Sequence, residues 1–105
     1  MEDLALFSFQ IITFAGEAKA SFMSAIRSAR NGELDKARDE YERGTLQLID
    51  GHKVHAKLLQ HEAMGIDVKV SLLLVHAEDQ LMNTETCKSN AEEFIYLYGR
   101  MVKAE

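Results

Sequence analysis

Apolar residues recur at spacings of three and four along almost the whole chain, the period of a helix with one buried face. Over residues from about 3 to 30 the stripe is Leu4, Phe7, Ile11, Phe14, Ala18, Phe22, Ile26 and Ala29. Asn31-Gly32 ends it, because glycine best adopts the left-handed conformation that closes a helix. A second helix is predicted over about 33–64, through Leu34, Ala37, Tyr41, Leu48, Val54, Leu58 and Leu59. Acidic residues in its first turn suit the helix dipole. Gly44 and Gly51 each weaken it by about 1 kcal/mol relative to alanine, so either this helix is marginal or its backbone is closely approached. Gly65-Ile66-Asp67 makes the second turn. A third helix is predicted over about 68–103, carrying Val68, Leu72, Val75, Met82, Phe94, Ile95, Tyr98, Met101 and Val102.

No proline interrupts these segments, so long helices can form without a forced kink. Ser71 to His76 is too apolar to alternate, and no segment reads as a strand. Three long helices joined by short turns pack as antiparallel neighbours, an all-α, up-down-up three-helix bundle. The 105 residues form one domain, 1–105, and a core of that size leaves enough surface exposed that oligomerisation would help.

Composition narrows the partners. A net charge of −5 argues against nucleic acid, which needs a basic patch, and against an anionic lipid surface. Glu2 and Asp3 stand where a signal peptide carries positive charge, and no apolar run reaches the ~20 residues of a membrane span. One cysteine, Cys87, cannot form an internal disulfide and reads as a packing residue. A cytoplasmic protein without membrane insertion is expected.

One feature of the third helix stands out. Its stripe Leu72, Val75, Asp79, Met82, Thr86 sets a carboxylate in a seam otherwise suited to burial. Buried without a partner, that group would cost several kcal/mol or stay protonated. His76, three residues earlier, borders the same seam. On spacing alone the two fit a hydrogen-bonded pair or two exposed polar groups. Asp79 therefore calls for a metal ion, a basic partner or solvent at an oligomer axis. His52, His55, His61 and Glu62 permit a metal site by spacing, but the helix is polar there and no third ligand is suitably placed, so they read as surface histidines. Lys36, Arg38, Arg43, Lys53 and Lys57 alternate with acids and read as a solvated face.

Ser71-Leu-Leu-Leu-Val-His-Ala-Glu-Asp-Gln-Leu-Met82 resembles the active-site helix of the lactose/cellobiose (N,N′-diacetylchitobiose)-specific enzyme IIA family of the sugar phosphotransferase system. That helix typically reads His-x-Gln-Asp-His-Leu-Met. Phe14-Ala-Gly-Glu-Ala18, Arg30-Asn-Gly-Glu-Leu-Asp-Lys-Ala37, Leu58-Leu59 and Glu62-Ala-Met-Gly65 resemble further family motifs, in order and across nearly the whole chain.

The resemblance implies a homotrimer of three-helix subunits acting as a bacterial phosphocarrier. His76 matches the histidine that accepts phosphate from HPr and hands it to the IIB component, for disaccharide uptake through membrane-bound IIC. Asp79 matches an aspartate at the three-fold axis, where three copies bind a divalent cation; oxygen-only coordination suits magnesium. At the phosphoryl site Glu78 replaces the usual glutamine and Gln80 the usual second histidine. An ionised Glu78 near the phosphoryl group would repel it, whereas the Gln80 amide can still donate. The alternative is therefore a phosphorylation-deficient regulatory or interaction module of the same fold.

Overall fold

A computed structural model describes residues 3–104. It contains three α-helices, α1 (Leu4–Arg30), α2 (Leu34–Ala63) and α3 (Leu72–Ala104), and no strand among the described residues. The first two match the expected spans to within a residue.

Glycine closes both. Gly32 and Gly65 have φ of +82° and +81°, the left-handed region that a Cβ disfavours. After α1, Glu33 N–H donates to Ser28 O (2.9 Å) and Gly32 N–H to Ala29 O (3.0 Å). After α2, Ile66 N–H donates to His61 O (2.9 Å) and Gly65 N–H to Glu62 O (3.1 Å). This paired pattern satisfies carbonyls that the ending helix leaves free.

The expected start of the third helix is corrected by four residues. Val68 to Ser71 lie outside any helix. Ser71 caps α3 instead: its Oγ accepts from the Leu74 N–H (3.1 Å), and its carbonyl accepts from the Val75 N–H (3.0 Å). A serine hydroxyl facing the third helical N–H is a favoured way to begin a helix. Val68 continues the apolar register only by being half-buried beside the core in an irregular segment.

α1 packs extensively against both other helices, whereas α2 and α3 meet along a thinner seam. The buried face of α1 is therefore wider than a single stripe. Ile11, Ala15, Ala18, Phe22, Ala25 and Ala29 have no exposed surface, while Phe7, Phe14 and Ile26 of the expected stripe are half-buried at its edge. Leu48, Val54 and Leu58 from α2 and Leu74, Ala77 and Leu81 from α3 complete the core. Phe22 contacts the bare backbone of Gly44, where a Cβ would stand 2.7 Å from the ring. Close approach, the second of the two readings of this glycine, is the one observed.

Polar contacts fix how the helices lie along one another. Ser21 pairs with Gln47, and Ser28 with Glu40, so α1 and α2 run in opposite order. Glu40 is buried and accepts hydrogen bonds from Ser24 and Ser28. Burial alone would raise its pKa, but those two hydroxyls, with the charges of Lys36 and Arg43, bring it below the ordinary carboxylate value. Thr84 Oγ1, fully buried in α3, donates within hydrogen-bond range of both Gln80 O (2.7 Å) and Ala15 O (3.2 Å), tying α3 to α1.

Candidate functional site

His76 lies one turn beyond the capped start of α3, and its side chain is exposed. With Leu72 and Leu73 it lines a shallow, mostly apolar depression at that end of the bundle. Leu72 is 86% exposed and Ile66 39%, while Leu73 is half-buried. Gln80, one helical turn further on the same face, is also half-buried. The imidazole is thus open to a large partner, with apolar surface beside it.

Asp79 is exposed on the outer face of α3, among Leu72, Val75 (50% exposed) and Met82 (57% exposed). Among the described residues no basic side chain forms an ion pair with it. A row of large apolar residues left in water along one helix marks a surface that association would cover.

Glu78, expected to flank the phosphoryl site, is half-buried. Residues two apart on a helix do not face each other, and Glu78 turns towards α2. There His55 Nε2–H donates to Glu78 Oε1 at 2.7 Å, the His55 side chain being only 18% exposed. His52 Nε2 repeats the arrangement with Glu85 Oε1 at 2.6 Å. The two α2 histidines, expected at a solvated surface, are therefore matched to α3 carboxylates.

His61 takes a third role: its Nδ1–H donates to Lys57 O (2.6 Å), and its ring lies against Phe7, with Lys57 Nζ 5.9 Å from that ring's centre. Among the described residues no group of three His, Cys, Asp or Glu side chains converges as a metal cage. Cys87 is half-buried; burial pushes its thiol pKa up, against a smaller opposing effect of Lys19. That environment suits packing rather than nucleophilic chemistry. No helix among the described residues is long and apolar enough to cross a membrane.

The described residues thus form three helices with an exposed histidine near the start of the last one and an exposed aspartate a turn beyond it. The model of the phosphotransferase system lactose/cellobiose-specific IIA subunit family matches residues 6–99. The chain belongs to that family and is thereby a component of a phosphotransferase system. It is 36% identical over 102 residues to the lichenan-specific phosphotransferase enzyme IIA component of Bacillus subtilis, covering 97% of this chain and 93% of that one. It is 34% identical to the lactose-specific EIIA component of Streptococcus mutans, covering 94% and 95%. The crystal structure of the cellobiose-specific enzyme IIA from Bacillus anthracis superposes with a TM-score of 0.93 at 33% identity, covering 100% of this chain and 95% of that one.

Proposed function

We propose that this chain is a cytoplasmic phosphocarrier that receives a phosphoryl group from HPr on His76 and passes it to a IIB component for disaccharide uptake. The observation that carries the reading is the exposed imidazole at the family's histidine position, set in a shallow apolar depression. A relay whose substrates are other proteins needs such an accessible group rather than a deep cleft.

The chemistry is a pair of in-line transfers. A ring nitrogen of neutral His76 attacks the phosphorus of the donor's phosphohistidine; the donor's P–N bond breaks, and the electron pair leaves with its imidazole. In the second step a IIB nucleophile attacks the same phosphorus and His76 leaves. Catalysis lies mainly in positioning and in donors to the phosphoryl oxygens, a role within reach of the Gln80 amide.

The homotrimer belongs to the same proposal. The outer stripe Leu72, Val75, Met82 is supported as a subunit seam by its exposure in the single chain. The pairing order of α1 with α2 and of α2 with α3 supports the up-down-up arrangement of each subunit. One chain offers Asp79 alone, so a cation would be held only where symmetry brings copies together. Three such carboxylates with water form a hard oxygen donor set that fits magnesium, which would offset their mutual repulsion. The phosphorylation-deficient alternative rests on both Glu78 and Gln80, and the His55–Glu78 contact bears on the first of them alone.

The test is transit of label. With HPr, its upstream kinase and phosphoenolpyruvate, phosphate should appear on the chain and then leave when IIB is added. Absence of label with a cognate HPr contradicts the reading.

A further inference from the structure

His76 and Glu78 lie on opposite flanks of α3. At about 100° per residue, Glu78 sits roughly 200° around the helix from His76, and Glu85 roughly 180°. Along the first turns of α3, up to Glu85, the side chains buried between those flanks are Leu74, Ala77, Leu81 and Thr84. Two of the four are small, so apolar packing resists rolling of α3 about its own axis less than a row of large side chains would. The α2–α3 seam is thin, and among the described residues the side-chain hydrogen bonds and ion pairs that cross it are His55–Glu78, His52–Glu85, and Tyr41 Oη–H to Glu92 at a long 3.4 Å. Of these, His55–Glu78 is nearest the start of α3, and its histidine is the better shielded of the two, His55 being 18% exposed against 43% for His52. A shielded contact of this kind holds its geometry better than an exposed one.

We propose that Glu78, held by His55, is a positioning residue: the contact fixes the roll of the first turns of α3 and so sets how far His76 stands out towards its phosphoryl donor. Any roll that releases Glu78 from α2 swings His76 by the same angle. The glutamate at the family's glutamine position thus has a partner of its own in this chain, contributed by α2. The inference rests on His76 being the phosphoryl acceptor, but the contact itself can be tested without phosphoryl transfer.

The experiment compares wild type with His55→Ala, His55→Gln and Glu78→Gln in the full chain, with circular dichroism confirming that each folds. The first readout is the rate of carbethoxylation of His76 by diethylpyrocarbonate, assigned by peptide mass. The second is kcat and KM for phosphoryl transfer from phosphorylated HPr. His55→Ala should change His76 carbethoxylation and lower kcat by about tenfold, with KM nearly unchanged, because the acceptor is misplaced rather than its docking lost. His55→Gln, whose amide can still donate to Glu78, should restore most of both. Glu78→Gln, still an acceptor for the His55 ring but without the charge that strengthens the contact, should lower kcat less than His55→Ala does. Unchanged His76 reactivity in His55→Ala overturns the proposal. So does a Glu78→Gln variant that accepts phosphate markedly faster, since that places the carboxylate on the phosphoryl group. If carbethoxylation responds to His55 while wild type accepts no phosphate, the contact stands and the phosphocarrier reading falls.

Discussion

The ring of Phe22 in α1 closes on the backbone of Gly44 in α2, with Cε1 2.7 Å from where a Cβ would stand. Phe22 has no exposed surface, so it cannot move aside without disturbing the core. Gly44→Ala should therefore destabilise the fold by roughly 1–3 kcal/mol through overpacking, less the ~1 kcal/mol that alanine regains in a helix. Denaturant unfolding checks this, and Phe22→Leu combined with Gly44→Ala should recover part of the loss.

Glu40 is expected to make stability depend on acid pH. In the folded chain burial acts to raise its pKa, but the Ser24 and Ser28 hydroxyls and the nearby Lys36 and Arg43 charges hold it below the ordinary carboxylate value. A lowered carboxylate contributes stability that is fully present above the unfolded value and is lost as pH falls through the folded one. Unfolding free energy should therefore decline below about pH 4.5, and Glu40→Gln should flatten this part of the curve. At neutral pH, Glu40→Ala should cost roughly 2–3 kcal/mol by leaving the Ser24 and Ser28 hydroxyls without their charged acceptor. Equal acid sensitivity in Glu40→Gln and wild type would count against this account.

Removal of the Ser71 hydroxyl should loosen the helix that carries His76. Ser71→Ala is expected to cost about 1 kcal/mol, the usual loss for an N-cap serine. Amide hydrogen exchange should speed up at Leu74 and its neighbours in the first turn of α3, leaving α1 and α2 unchanged. A uniform increase along all three helices would mean that the hydroxyl acts on global stability instead.

The proposed subunit seam makes Asp79 the link between assembly and metal. Sedimentation should show wild-type association weakening when divalent cations are chelated. Asp79→Leu should keep its helical content and lose that sensitivity, since the repulsion a cation would offset is gone. A wild-type trimer indifferent to chelator, with an Asp79→Leu trimer indistinguishable from it, would remove the proposed role.

The helices were legible because three- and four-residue periodicity is a local property, and Gly32 and Gly65 marked two ends as expected. Val68 misled because it kept the register, while the signal that outweighed it, the Ser71 hydroxyl, is one residue of cap chemistry. Along α1 the stripe named Phe7, Phe14 and Ile26, yet Ala15 and Ala25 are the more deeply buried. A helix packed against two neighbours buries two stripes, and small residues mark where neighbouring backbones come close. The positions of His76 and Asp79 could be named from the motif. The partners of Glu78 and Glu40 could not, because His55 lies 23 residues away and Ser28 12, and pairing across a seam depends on helix roll that no single segment encodes.

The central claim, that His76 carries a phosphoryl group between proteins, is tested most directly by intact mass after incubation with phosphoenolpyruvate, HPr and its upstream kinase. Wild type should gain the mass of one phosphoryl group per subunit, and His76→Ala should gain none. A wild-type chain that stays at its unmodified mass beside a fully phosphorylated HPr, or a His76→Ala chain that gains the group all the same, would contradict the account.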